Sequence, residues 1–235
     1  MKYNSLKHKF HLSSVQLTVL IALVVVILDQ ALKIWVKTSF FLGESREITS
    51  WFHLTFVENN GMAFGWEFGS KLFLTLFRII FVGAIIYMLV NLRNRHELKR
   101  GFLVCVALVI AGAIGNIIDC MFYGLIFSES TPTHIATMFP EGGGYGTFLH
   151  GKVVDMLSFE LFSFNWPSWV PFVGGEHFTF FQPIFNLADS AITVGVLAII
   201  FFYSKQVNLL IPERFKSRKQ TDSNPDSNNP KTPSK

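Results

Sequence analysis

Residues 185–196 read FNLADSAITVGV, an apolar stretch whose opening carries Asn186 and Asp189. An ionised carboxylate beside hydrocarbon is costly and persists only where it is paired, solvated or used. The stretch reads as the start of a membrane-spanning helix, so the rest of the chain has to explain the acid at its mouth.

Half of the 235 residues are hydrophobic, 15% are charged and 26 are Phe, a composition that fits a multi-pass membrane protein better than a soluble domain. The net charge is +4, and the basic residues gather at the N-terminus (Lys2, Lys7, Lys9), in RNRHELKR (93–100) and after Lys205. Beside apolar runs such clusters mark cytoplasmic flanks, not a nucleic-acid footprint. Two cysteines, Cys105 and Cys120, do not make a disulfide framework and are expected as free thiols.

Four apolar runs read as spans, at about 12–36, 70–92, 101–119 and 184–204. The first follows a basic patch, as a signal peptide does, but it is long and no small-residue cleavage site follows it, so it reads as a retained anchor. The expected fold is therefore an all-α membrane protein, four transmembrane helices with a small β-structure outside. The positive-inside rule puts both termini and the 93–100 loop in the cytoplasm and the segments 37–69 and 120–183 outside. EITSWFHLTF (47–56) alternates apolar residues with the period of a half-buried strand, and HFTFFQPIF (177–185) is a second candidate. Trp166 and Trp169 suit a membrane interface. The region 1–205 is expected to be one membrane domain, and 206–235 a disordered cytoplasmic tail rich in Ser, Asn, Pro and Lys.

With this orientation the polar outliers fall at one depth: Asp29, Asn116, Asp119, Asn186 and Asp189 at outer helix ends, and Asp155 in an outer segment. Each has an ordinary reading. Asp29 and Lys33 have helical ion-pair spacing, Asn116 and Asp119 share a helix face, and Asn186 and Asp189 suit a cap and a first-turn acid. Together they are more than the nearby bases, Lys33, Arg78 and Lys152, match. Acids brought together raise one another's pKa, so a close pair shares a proton near neutrality. Such a pair can activate water with one carboxylate and polarise a carbonyl with the other.

Rival chemistries find no motif. There is no H-E-x-x-H, no ligand spacing among the seven histidines, no G-x-S-x-G and no His obviously paired with a cysteine. EGGGYG (141–146) lacks the Lys of a phosphate loop. A transporter could also hold acids within a membrane, but acids at one surface and no internal repeat count against it, and a non-enzymatic scaffold has less still to recommend it.

Five segments in order, DQALK (29–33), ENNGMAFG (58–65), GAIGNIID (112–119), VVDM (153–156) and FNLADSAI (185–192), resemble the bacterial lipoprotein signal peptidases, signal peptidase II. The resemblance implies a membrane aspartic endopeptidase that removes signal peptides from prolipoproteins, cutting before a diacylglyceryl-modified cysteine. It implies a catalytic pair at Asp155 and Asp189, with Asp29, Lys33, Asn59, Gly61, Asn116, Asp119 and Asn186 binding substrate or supporting the pair. It also implies the bacterial inner membrane, an extracytoplasmic active site, prolipoproteins and membrane lipids as partners, a monomer, and no metal or cofactor. The sequence departs from the family pattern in three places. Cys120 stands where an Arg usually follows the GNxxD aspartate, Met62 replaces an Ala, and the stretch between Asp119 and Asp155 is longer. The glycines of that stretch make Gly124–Gly151 either a mobile lid or a solvated insertion.

Overall fold

The computed structural model describes residues 13–59, 71–92 and 98–210. Gly61, Met62, most of the 93–100 basic segment, the N-terminal lysines and the tail beyond 210 lie outside the described residues.

Helix α1 (Ser14–Lys37) starts at a reciprocal cap: Gln16 N–H donates to Ser13 Oγ at 3.2 Å and Ser13 N–H to Gln16 Oε1 at 2.9 Å. Most of its apolar side chains face outward, while Asp29, Lys33, Val36 and Lys37 are buried. That inversion, apolar residues outside and charged residues inside, is what a lipid environment selects. Helices α2 (Lys71–Leu92) and α3 (Arg100–Ile118) pack through Val82, Phe102, Val106, Ile110, Ala113 and Ile117. A π-helical turn (Asp119–Tyr123) and the short α4 (Gly124–Ile126) prolong α3. Helix α5 (Leu187–Phe202) and α6 (Ser204–Leu210) close the described chain, so the segment expected to be disordered from 206 begins as helix.

Helices α3 and α5 meet closely. A Cβ on Gly112 would lie 2.2 Å from the carbonyl oxygen of Ala188, and one on Gly115 2.6 Å from Asp29 Oδ2. Small residues at such a seam let helix backbones approach.

Strands β1 (Ser45–Thr49), β2 (Phe52–Asn59), β3 (Val153–Phe159) and β6 (Ile184–Phe185) form an antiparallel sheet in the order β1-β2-β3-β6. Strands β4 (Phe162–Asn165) and β5 (His177–Phe180) form a separate hairpin. Between the pairs Leu54–Leu157 and Val57–Asp155 the register shifts by a bulge, which re-aims the strand beside Asp155. Val154 and Met156 point into a core shared with Val36, Phe56, Tyr123 and Phe127, so strand alternation turns Asp155 to the opposite face.

Two sequence expectations are corrected. The protein is not all-α: helices are joined by two antiparallel sheets, and the four-stranded one supplies part of the site. Nor are four spans found. Among the described residues two helical stretches, Ser14–Lys37 and Arg100–Ile126, are long and apolar enough to cross a membrane, against the roughly 20 residues a span needs. The fourth run is shortened because β6 takes Ile184 and Phe185 and Asn186 caps α5, leaving 16 helical residues. In α2 the apolar stretch is Thr75–Met88.

The long segment after α4 is built into the framework. Phe127 and Ala136 are core residues, and the backbone is fastened by Gly146 N–H to Gly124 O, Gly151 N–H to Cys120 O and Leu42 N–H to Thr131 O. Gly142 and Gly143 take φ values of +99° and +93°, which glycine adopts at low cost.

Candidate active site

The start of α5 organises the site. Asn186 is extended and caps the helix, its Oδ1 accepting from Asp189 N–H at 2.8 Å, which fixes Asp189 in the first turn. The same amide turns its Nδ2 to Asp155 Oδ1 at 2.7 Å. Asn59, at the end of β2, donates to Asp155 Oδ2 at 3.3 Å. Asn116, from the last turn of α3, donates its Nδ2 to Asp189 Oδ1 at 2.8 Å. Each of the two carboxylates thus receives an amide donor from a different element.

Asp155 is buried, and its pKa is pushed up to about 7 by burial and by the charge of Asp189, against the bonds from Asn59 and Asn186 and the charge of Lys33. A carboxyl group with this pKa keeps a proton near neutrality, as general acid–base work requires.

An ion cluster adjoins the pair. Lys33 Nζ is 2.9 Å from Asp29 Oδ2 and 2.7 Å from Asp119 Oδ2, and all three residues are buried. Lys33 also donates to Asn116 Oδ1 at 2.9 Å, and Asn186 Nδ2 lies 3.1 Å from the same oxygen. Asn116 therefore cannot turn its amide over without losing contacts on both sides. Asp29 Oδ1 accepts from Ala188 N–H at 2.9 Å, one of the open amides of the α5 N-terminus. Asp119 Oδ2 lies 3.3 Å from Val154 N, tying the α3 end to the strand that carries Asp155. Eight of the nine residues expected from the sequence, Asn59 among them, thus serve in one hydrogen-bonded array; Gly61 lies outside the described residues.

Sequence reasoning missed Gln30 and Tyr123. Gln30 Nε2 donates to Asp119 Oδ1 at 2.8 Å, and Tyr123 OH donates to Gln30 Oε1 at 3.2 Å. It also missed a second buried cluster. Lys37 pairs with Glu58 and donates to Ser130 Oγ at 2.9 Å, while Lys152 Nζ sits 3.0 Å from Glu58 Oε2 as an ion pair. Burial pushes the Glu58 carboxyl upward, but Lys37 and Lys152 outweigh it and hold the pKa below the ordinary value. Glu58 precedes Asn59, so this cluster anchors the strand end that reaches Asp155. At Cys120, where the sequence lacks the expected Arg, a guanidinium arrives from another helix: Arg78 Nη1 lies 3.9 Å from Cys120 Sγ. Cys105 and Cys120 are both free and buried.

Comparison with known proteins shows the family. A family model for signal peptidase (SPase) II matches residues 21–205. A lipoprotein signal peptidase of Porphyromonas gingivalis is 53% identical over 195 residues, covering 82% of this chain and 86% of that protein. Another, from Amoebophilus asiaticus, is 37% identical over 210 residues, covering 86% of this chain and 84% of its own. Two solved structures described as bacterial membrane enzymes have TM-scores of 0.55 and 0.52 at 27% and 29% identity. They cover 81% and 78% of this chain and 89% and 90% of their own. The chain belongs to the signal peptidase II family and is an aspartic endopeptidase of the membrane.

Proposed function

We propose that Asp155 and Asp189 are the catalytic pair with which this enzyme removes signal peptides from prolipoproteins, cutting before the diacylglyceryl-modified cysteine. The observation that carries the assignment is the Asn186 side chain, bonded to the Asp155 carboxylate at one end and to the Asp189 backbone at the other. Asp155, its pKa pushed up to about 7, holds a proton near neutrality. Asp189 takes a proton from water as the oxygen attacks the scissile carbonyl, and Asp155 donates to the developing oxyanion. The tetrahedral intermediate then collapses: the C–N bond breaks, the proton held by Asp189 passes to the cysteine nitrogen, and the carbonyl returns its proton to Asp155. Asn116 and Asn59 hold the two carboxylates in register, and Asp29, Lys33 and Asp119 fix the three elements that carry them.

The dyad faces the extracytoplasmic side of the inner membrane in this reading, with the termini in the cytoplasm. Its support is the charge pattern: Lys99 and Arg100 lie at the end of α3 remote from Asn116, Lys205 lies in α6 just beyond the end of α5 remote from Asp189, and Lys99 N–H donates to Gln206 Oε1 at 3.1 Å. Residues 1–205 act as one membrane domain with 206–235 as an appendage, working as a monomer among lipids that also hold its substrate. The test is purified protein with a diacylglyceryl-modified precursor, scored for signal-peptide release and for the position of the cut. Failure to cut, or equal cutting of the unmodified precursor, contradicts the reading.

A further inference from the structure

The β4–β5 hairpin has two unlike faces. Its register pairs Phe162 with Phe180 and Phe164 with Phe178 on one side, and Ser163 with Thr179 and Asn165 with His177 on the other. The aromatic rings pack on one another, Phe162 and Phe180 stacked at 4.8 Å and Phe164 and Phe178 tilted at 5.2 Å. No other strand of the described chain joins this sheet. A two-stranded hairpin is marginal in water by itself, so a face of this kind needs a cover. Phe162 nevertheless remains 53% exposed.

The loop at the hairpin's end extends the same property. Trp169 is 80% exposed and Phe172 fully exposed, and Phe172 sits at φ +70°, a left-handed conformation that costs a bulky residue energy. The structure spends backbone strain to hold an aromatic ring outward.

We infer that this hairpin is a membrane-interface anchor, with its aromatic face and the Trp169–Phe172 tip seated at the headgroup–acyl boundary on the side of the bilayer that holds Asp189. Two observations select lipid as the occupant. First, the aromatic face is continuous with the apolar surface of the membrane domain. Phe181 contacts Phe185, Phe185 stacks on Phe159, and Phe159 stacks on half-exposed Trp51, while β6 leads directly into α5 with Leu197, Ile200 and Phe201 exposed. Second, no Lys or Arg occurs between Lys152 and Lys205. The hairpin and its tip therefore carry no Lys or Arg for an acidic partner or an anionic headgroup, and burial of aromatic rings at the interface is the interaction they offer. The anchor does not depend on the assignment of the catalytic pair.

The full chain tests this in nanodiscs holding one copy each. A polarity-sensitive dye is placed on Phe172→Cys and, separately, on Ser163→Cys of the polar face; Cys105 and Cys120 are buried and leave the labelling selective. The expected result is severalfold stronger quenching of the Phe172→Cys label by a phosphatidylcholine carrying a nitroxide near the top of its acyl chain than by aqueous iodide. The Ser163→Cys label should show the reverse order. Adding anionic lipid should leave both patterns unchanged. Equal iodide access at the two positions overturns the inference. So does shielding of the Phe172→Cys label that appears only in discs holding two copies, which would assign the face to a second chain.

Discussion

Asn186 and Asp155 are joined at 2.7 Å across a helix–strand junction, and the Asn186 oxygen meanwhile caps the helix that carries Asp189. One side chain therefore sets both the start of α5 and the orientation of Asp155. Asn186→Ala should lose a cap worth about 1 kcal/mol and also most of the turnover. Asn186→Asp keeps an acceptor for the Asp189 N–H but sets a third acid beside Asp155. The check is kcat beside thermal unfolding: the Asp variant should melt closer to wild type than the Ala variant does, yet remain impaired in turnover.

Asp155→Asn and Asp189→Asn should each lower kcat by orders of magnitude while the protein stays folded in detergent, since each removes a proton-transfer group without changing shape. Single-turnover cleavage of a lipid-modified precursor measures this. Near-normal turnover by either variant contradicts the pair.

The pH dependence follows from Asp155. Its pKa stands at about 7 in the fold against an ordinary 3.8. Between those values the folded protein binds more protons than the unfolded chain, so this group's contribution to stability is full below the lower value and is lost as pH rises through the upper one. Unfolding temperature should decline over that window, and Asp155→Asn should flatten the decline. Cleavage, which needs the shared proton, should fall above about pH 7. Asn59→Ala removes a bond that favours the ionised form and should move the alkaline limb upward.

Lys33→Met should be more damaging to stability than loss of a surface charge. It leaves Asp29 and Asp119 buried together without their cation, and breaking a buried ion pair costs about 3–5 kcal/mol. Thermal unfolding measures the loss. The companion variant Asp29→Ala should also destabilise, because it opens the Ala188 amide as well as the ion pair.

Phe127→Ala should cost about 3–5 kcal/mol as a core truncation, because this residue of the long segment is fully buried beside Tyr123. Replacing residues 127–151 by a short linker should then lower the unfolding temperature along with activity. Loss of activity without loss of stability would restore the segment to a lid.

The chemistry was legible where neighbours in sequence remain neighbours in space. GNIID and FNLAD each place polar residues at a predictable helix end, VVD sets an acid among apolar neighbours in an outer segment, and the structure brings them together. Lys33 was legible by its spacing from Asp29. Lys37, Glu58, Ser130 and Lys152 were not, because each lies on a separate segment and only the sheet and the packed loop unite them. The sheets were underestimated for the same reason: EITSWFHLTF shows a strand period, but nothing local shows that β3 will pair beside it or that LFSF will fold back on HFTF. Apolar content also overstated the helices, since Ile184 and Phe185 satisfy a span's composition equally well as a short strand.

The glycines of the α3–α5 seam bear on how the site is assembled. With Ala188 carbonyl oxygen 2.2 Å from where a Gly112 Cβ would stand, the two helices meet at backbone contact, and Asn116 bonds Asp189 across that seam. Asp155 comes from β3, which is tied to the end of α3 through Asp119 and to the start of α5 through Asn186. A side chain added at Gly112 would have to push α5 away from α3, and would part Asn116 from Asp189 in doing so.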